Sequence, residues 1–130
     1  MPEQLREFEL IRRLFDRQVG RNEEVPVGIG DDAAVCLVPD GAALVTATDS
    51  LVSGTHFTSD ADPASVGHRC LAVNLSDIAA MGAAPKWASL ALNLPHIDNP
   101  WLDAFSAAFF ALADDHNVIL IGGDTVRGPL

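Results

Sequence analysis

Residues 87–121 read WASLALNLPHIDNPWLDAFSAAFFALADDHNVILI, and this stretch decides the fold class. WASLALNL, residues 87–94, is a strand by composition and by its alternation of apolar and small or polar side chains. Asn99-Pro100 then opens a helix from Trp101 to about Asp115, with Asn117 placed to end it in the left-handed region. VILI, residues 118–121, is a short apolar run of the kind found in buried strands, and it leads into GGDTVRG.

The flanks add further elements. Toward the N-terminus, Asp62-Pro63 has a cap residue followed by proline at the first helical position, and the helix it starts runs to about Met81, where Gly82 and Pro85 stop it. Val66, Cys70 and Val73 lie along one side and Leu71, Leu75 and Ile78 along another, so this helix is expected to be apolar nearly all round and largely buried. Ala33–Val38 and Ala42–Ser50 flank Pro39-Asp40-Gly41 and predict a β-hairpin. Gln4–Arg17 predicts an amphipathic helix through Phe8, Ile11 and Phe15. The order α-β-β-α-β-α-β gives an α/β or α+β class, a mixed sheet with helices packed on one face.

Charge narrows the function. Eight basic against 18 acidic residues leave a net charge of −10. That excludes a nucleic-acid-binding domain, which needs a basic face to displace counterions. Lysine occurs once, at Lys86, so no P-loop lysine is present. After Glu24 every acid is an aspartate, the residue of turns, caps and oxygen-ligand metal sites. Cys36 and Cys70 stand in apolar surroundings without a CxxC pattern, as free thiols do in a reducing cytoplasm. No apolar run reaches the roughly 18 residues of a membrane span.

Four aspartate loci carry the chemistry: Gly28-Ile29-Gly30-Asp31-Asp32, Thr48-Asp49-Ser50, Asn74-Leu75-Ser76-Asp77 and Gly122-Gly123-Asp124-Thr125. Each alone reads equally as a turn or a cap. The first also fits a loose G-x-G-x-x-A dinucleotide pattern through Gly28, Gly30 and Ala33, but a strand rather than a helix is expected to follow it. Asp77 is the sharpest case, since a carboxylate inside an apolar helix is costly unless paired or metal-bound; a helix ending early would make it a cap instead. Together Asp32, Asp49, Asp77 and Asp124, with the Thr48 hydroxyl, form a set of hard oxygen donors suited to Mg²⁺, the ion through which an acidic protein can hold ATP. His56 reads either as an exposed loop histidine or as a substrate contact. Arg127 suits either a phosphate or a neighbouring acid.

FELI (8–11), GIGDDAAV (28–35), TDSLVSGTHF (48–57), LAVNLSDIAAMGAAP (71–85) and LIGGDTVRGPL (120–130) resemble the N-terminal domain of the thiamine-monophosphate kinase family. That family is similar in turn to aminoimidazole ribonucleotide synthetase and its relatives. The resemblance implies ATP-dependent phosphorylation of thiamine monophosphate to thiamine diphosphate by direct phosphoryl transfer. It implies Mg²⁺ ions on Asp32, Thr48, Asp49, Asp77 and Asp124, ATP against Gly123 and Asp124, and the thiamine phosphate substrate against His56, with no side-chain catalytic base. It also implies a cytoplasmic homodimer whose strands pair into a shared barrel. Residues 1–130 would then be a single ATP- and metal-binding domain, truncated before the family's C-terminal domain. Ala47 stands where the family usually has Ser or Thr, which takes away one oxygen ligand. Two alternatives stay open: a related synthetase acting on another phosphorylated substrate, and a non-catalytic dimerisation fragment.

Overall fold

The computed structural model describes residues 9–17 and 23–129. Its regular elements are a π-helical turn at Ile11–Phe15, helix α1 (Pro63–Ala80), strand β1 (Trp87–Leu94), helix α2 (Asn99–Asp115) and strand β2 (Ile119–Arg127). α1 begins as the sequence predicts, whereas α2 begins at Asn99 rather than Trp101 and takes Asp98, not Asn99, as its cap. Asp62 Oδ1 accepts from the Ala64 amide at 3.2 Å with Pro63 behind it, and Asp98 Oδ1 accepts from the Trp101 amide at 3.2 Å with Pro100 behind it. α1 closes with the Gly82 and Ala83 amides on the carbonyls of Ala79 and Ile78. α2 closes at Asn117, whose φ of +55° lets the Val118 amide reach the Ala113 carbonyl at 2.8 Å.

β1, α2 and β2 form a β-α-β unit, and the two strands pair in parallel. The sheet among the described residues is therefore parallel rather than mixed. Register runs from Trp87 opposite Ile119 to Leu94 opposite Arg127, with a bulge after Ala88 that leaves Ile121 unpaired. Because strand side chains alternate, Leu90, Leu92 and Leu94 share one face and Ser89, Ala91 and Asn93 the other. Both helices cover the leucine face. Leu92, Leu94 and Leu120 join Val66 and Leu71 of α1 and Leu102, Phe105, Phe109 and Ala113 of α2 in one core, with Leu10 and Phe15 closing it from the N-terminal side. Gly67 is the closest point of the helix pair, where a Cβ would overlap the Phe105 carbonyl.

Trp101, Phe105 and Phe109 stack successively along α2, with centroids 5.2 and 6.4 Å apart, and Phe110 meets Phe109 edge-on. Arg17 lies over the Phe110 ring at 4.5 Å and grips Asp114 with two bonds of 3.0 Å. That guanidinium holds the Asp114 carboxyl below its ordinary range. Cys70 is a packed thiol: Sγ donates to the Gly67 carbonyl at 3.2 Å, and burial pushes its pKa up to about 11.

Four expectations need correction. The hairpin is absent. The turn at Pro39-Asp40-Gly41 forms, with the Ala42 amide on the Pro39 carbonyl, but 33–38 and 42–50 do not form a ladder. Instead Val35 bridges back to Val27 and the Leu37 amide reaches the Glu24 carbonyl. Among the described residues no layer covers the alternating segment, and Leu37 and Leu44 are 55% and 59% exposed. Second, α1 is not buried all round. Only Val66, Gly67 and Leu71 are buried, because one sheet and one neighbouring helix cannot cover a full cylinder. Third, Gly122-Gly123-Asp124-Thr125 does not follow the last strand but lies within β2. Fourth, the N-terminal helix is described only from residue 9, with Phe8 outside the described residues, and Ile11–Phe15 is π-helical, closed by the Asp16 amide on the Ile11 carbonyl.

Candidate functional site

Asp31 and Asp32 follow the turn at Gly28-Ile29-Gly30. Asp31 spends one carboxylate oxygen on the Asp32 amide at 2.8 Å, while Asp32 is exposed. Thr48 and Asp49 lie exposed on the extended, unpaired segment. Asp77 occupies the last turn of α1 and is exposed, which corrects the expectation of a buried carboxylate: apolar neighbours in sequence did not make an apolar environment in space. Two of the residues around it, Ala80 and Met81, are themselves exposed, Met81 at 69%. Asn74, one turn earlier, is half-buried, with its side-chain oxygen shielded from solvent. Its Nδ2 donates to the Cys70 carbonyl at 2.9 Å and its Oδ1 has no partner among the described residues.

Asp124 is positioned by the sheet. It stands in register with Ala91 and so projects from the face opposite the leucines, where it is exposed. Gly123 beside it has φ +149°, and a Cβ there would overlap the Leu90 carbonyl. Only glycine permits this approach of the two strands, and it leaves bare backbone next to Asp124. Among the described residues Asp32, Asp49, Asp77 and Asp124 make no ion pair with a cation.

The structure does not bring the set together within one chain. Among the described residues no three His, Cys, Asp or Glu side chains are grouped closely enough to hold a metal ion. The donors fit Mg²⁺ in kind, being hard and anionic oxygens, but each stands on its own element. His56 is exposed on the loop after this segment, with Nδ1 accepting the Val52 amide at 2.8 Å. Sequence reasoning missed that contact, since a spacing of four in a loop carries no signal of it. No helix among the described residues is long and apolar enough to cross a membrane.

With the helices on the leucine face of the parallel pair and Asp124 on the other, the chain can be compared with known families. Residues 30–130 match the family described as AIR synthase related protein, N-terminal domain, and the chain belongs to that family. Within it the resemblance read from the sequence is borne out. The chain is 54% identical over 124 residues to the thiamine-monophosphate kinase of Salmonella typhimurium and 52% identical to that of Escherichia coli, matching 95% of this chain and 38% of each relative. A crystal structure of thiamine-monophosphate kinase from Stenotrophomonas maltophilia superposes with a TM-score of 0.82 at 50% identity, covering 95% of this chain and 39% of that one. The chain thus spans about two fifths of the length of the relatives it matches.

Proposed function

We propose that this chain is the ATP- and metal-binding domain of a thiamine-monophosphate kinase, an enzyme transferring the γ-phosphoryl group of ATP to thiamine monophosphate to give ADP and thiamine diphosphate. The observation that carries this reading is identity above 50% to enzymes of that name across 95% of the chain. Asp32, Thr48, Asp49, Asp77 and Asp124 would hold Mg²⁺. Bound there, the ions would neutralise phosphate charge and align the two phosphates. Gly123 and Asp124 meet ATP, the glycine by leaving backbone accessible. His56 meets thiamine monophosphate. No side-chain base is needed, because the second ionisation of a phosphate monoester falls near pKa ≈ 6 and its oxygen is already anionic at neutral pH.

A single chain does not gather the donors, so we propose that a homodimer completes the site. The exposed 42–50 segment, which bears Thr48 and Asp49, would pair across the two-fold into a shared barrel with β1 of the partner. Two free cysteines support a reducing, cytoplasmic setting.

The test is an assay of the purified protein with ATP, Mg²⁺ and thiamine monophosphate, separating products by chromatography. Thiamine diphosphate should form only with Mg²⁺, and Asp49→Asn should lower kcat by about a hundredfold, as loss of one charge-stabilising group does. Consumption of ATP with aminoimidazole ribonucleotide precursors instead would favour a related synthetase. No turnover with either, by a protein that dimerises, would make it a dimerisation module.

A further inference from the structure

The segment from Val52 to Phe57 is closed on itself. The Thr55 and His56 amides donate to the Val52 carbonyl at 3.0 and 2.9 Å, and the Gly54 amide donates to the Phe57 carbonyl at 2.7 Å. Ser53 and Phe57 are bridged, and Phe57 packs against the core. The Val52 amide itself donates to His56 Nδ1 at 2.8 Å. Backbone N–H groups at 52, 54, 55 and 56 are thus spent inside the loop, which is not an anion-binding nest of main-chain amides. What the loop offers a ligand is side chains, the exposed His56 imidazole among them.

The Val52 contact has a chemical consequence. A neutral imidazole carries one N–H and one lone pair, and a backbone amide can only donate. Nδ1 therefore supplies the lone pair, and the ring proton sits on Nε2. A neutral ring held this way has its one lone pair engaged and turns an N–H, not an acceptor, to a ligand.

We infer that the Val52–His56 contact makes the imidazole a fixed hydrogen-bond donor: the contact selects the Nε2-protonated tautomer of the neutral ring, which donates Nε2–H to a phosphate oxygen of the substrate. Val52 is then a positioning residue that acts through His56. The identity of the phosphorylated substrate rests on the kinase reading above; the tautomer does not. A neutral donor adds no positive charge, so in a chain of net charge −10 the phosphate charge must be met by other groups.

Nitrogen NMR of histidine-labelled protein at about pH 8, above the histidine range, tests the lock directly. His56 should show the Nε2–H pattern alone before any substrate is present, and thiamine monophosphate should then move the Nε2 resonance more than Nδ1. Two variants separate the two ring atoms. His56→Asn keeps an acceptor near the Nδ1 position and loses the outer donor. His56→Gln keeps an amide N–H near the Nε2 position and loses the inner acceptor. His56→Asn should raise KM for thiamine monophosphate about tenfold or more, the loss of one hydrogen bond to a charged oxygen, with a smaller change in kcat. His56→Gln should hold KM closer to wild type while the Val52 amide exchanges faster with solvent. An Nδ1–H or mixed tautomer, or an unchanged KM in His56→Asn, overturns the inference. A wild type inactive on thiamine monophosphate overturns the substrate half together with the kinase reading, and the NMR pattern still decides the lock.

Discussion

Asp77 sits at the C-terminal end of α1 with its carboxylate in solvent. A negative charge in the last turn opposes the helix dipole, and α1 has no basic residue there to offset it. Asp77→Asn should therefore leave the metal-free protein within about 0.5 kcal/mol of wild type, on the stabilising side. In the presence of Mg²⁺ and ATP the order should change. A ligand that binds only the folded state raises the melting temperature, and the variant short of one metal ligand should gain less. Thermal melts of both proteins over a Mg²⁺ series measure this, and equal gains would remove Asp77 from the metal set. Asn74 belongs to the same scale. Its unpartnered Oδ1 is the buried polar feature of this helix, where the sequence alone drew attention to the acid one turn on.

At the scale of elements, the helix pair is set by Gly67. Glycine inside a helix costs about 1 kcal/mol relative to alanine, so propensity alone favours Gly67→Ala. The added Cβ would overlap the main-chain carbonyl of Phe105, which cannot rotate aside as a side chain could. Overpacking of that kind costs about 1–3 kcal/mol and outweighs the propensity gain. Gly67→Ala should lower the urea midpoint with an unchanged m-value; a higher midpoint would show that the helices can separate freely. The β-α-β unit shows the opposite balance. Its strand alternation, prolines and the Asn117 turn all agree, so β1 and α2 were legible within a residue or two, while β2 runs on to Arg127, well past the apolar run that announced it. The hairpin was not legible, because alternation in 42–50 specifies a strand with one covered face but not what covers it.

The whole molecule leaves one layer open. Helices cover the leucine face of the sheet, while Ser89, Ala91, Asn93 and Asp124 face outward, and Val35, Leu37, Val38, Leu44 and Val52 are exposed along residues 35–52, of which 42–50 form no ladder. Such an edge invites pairing with another chain. Sedimentation at micromolar concentration should find a dimer, and Leu44→Asp should shift it toward monomer, since a charge would have to be buried at the contact. A wild type that sediments as a monomer would contradict the shared barrel.

Sequence alone was enough for the Asp62 cap, most of the spans of α1 and α2, the strand–helix–strand unit, and a metal-ligand set made of oxygen donors in a strongly acidic chain. These follow from local physics: a proline or aspartate acts on its own turn, and charge is a sum over residues. Only the tertiary structure decided which way each donor faces. It placed Asp77 in solvent, extended β2 through Gly123-Asp124 and turned Val35 back to Val27. Each of these depends on contacts between residues that local sequence leaves unspecified, because burial is a property of the surrounding layers and not of the neighbours along the chain.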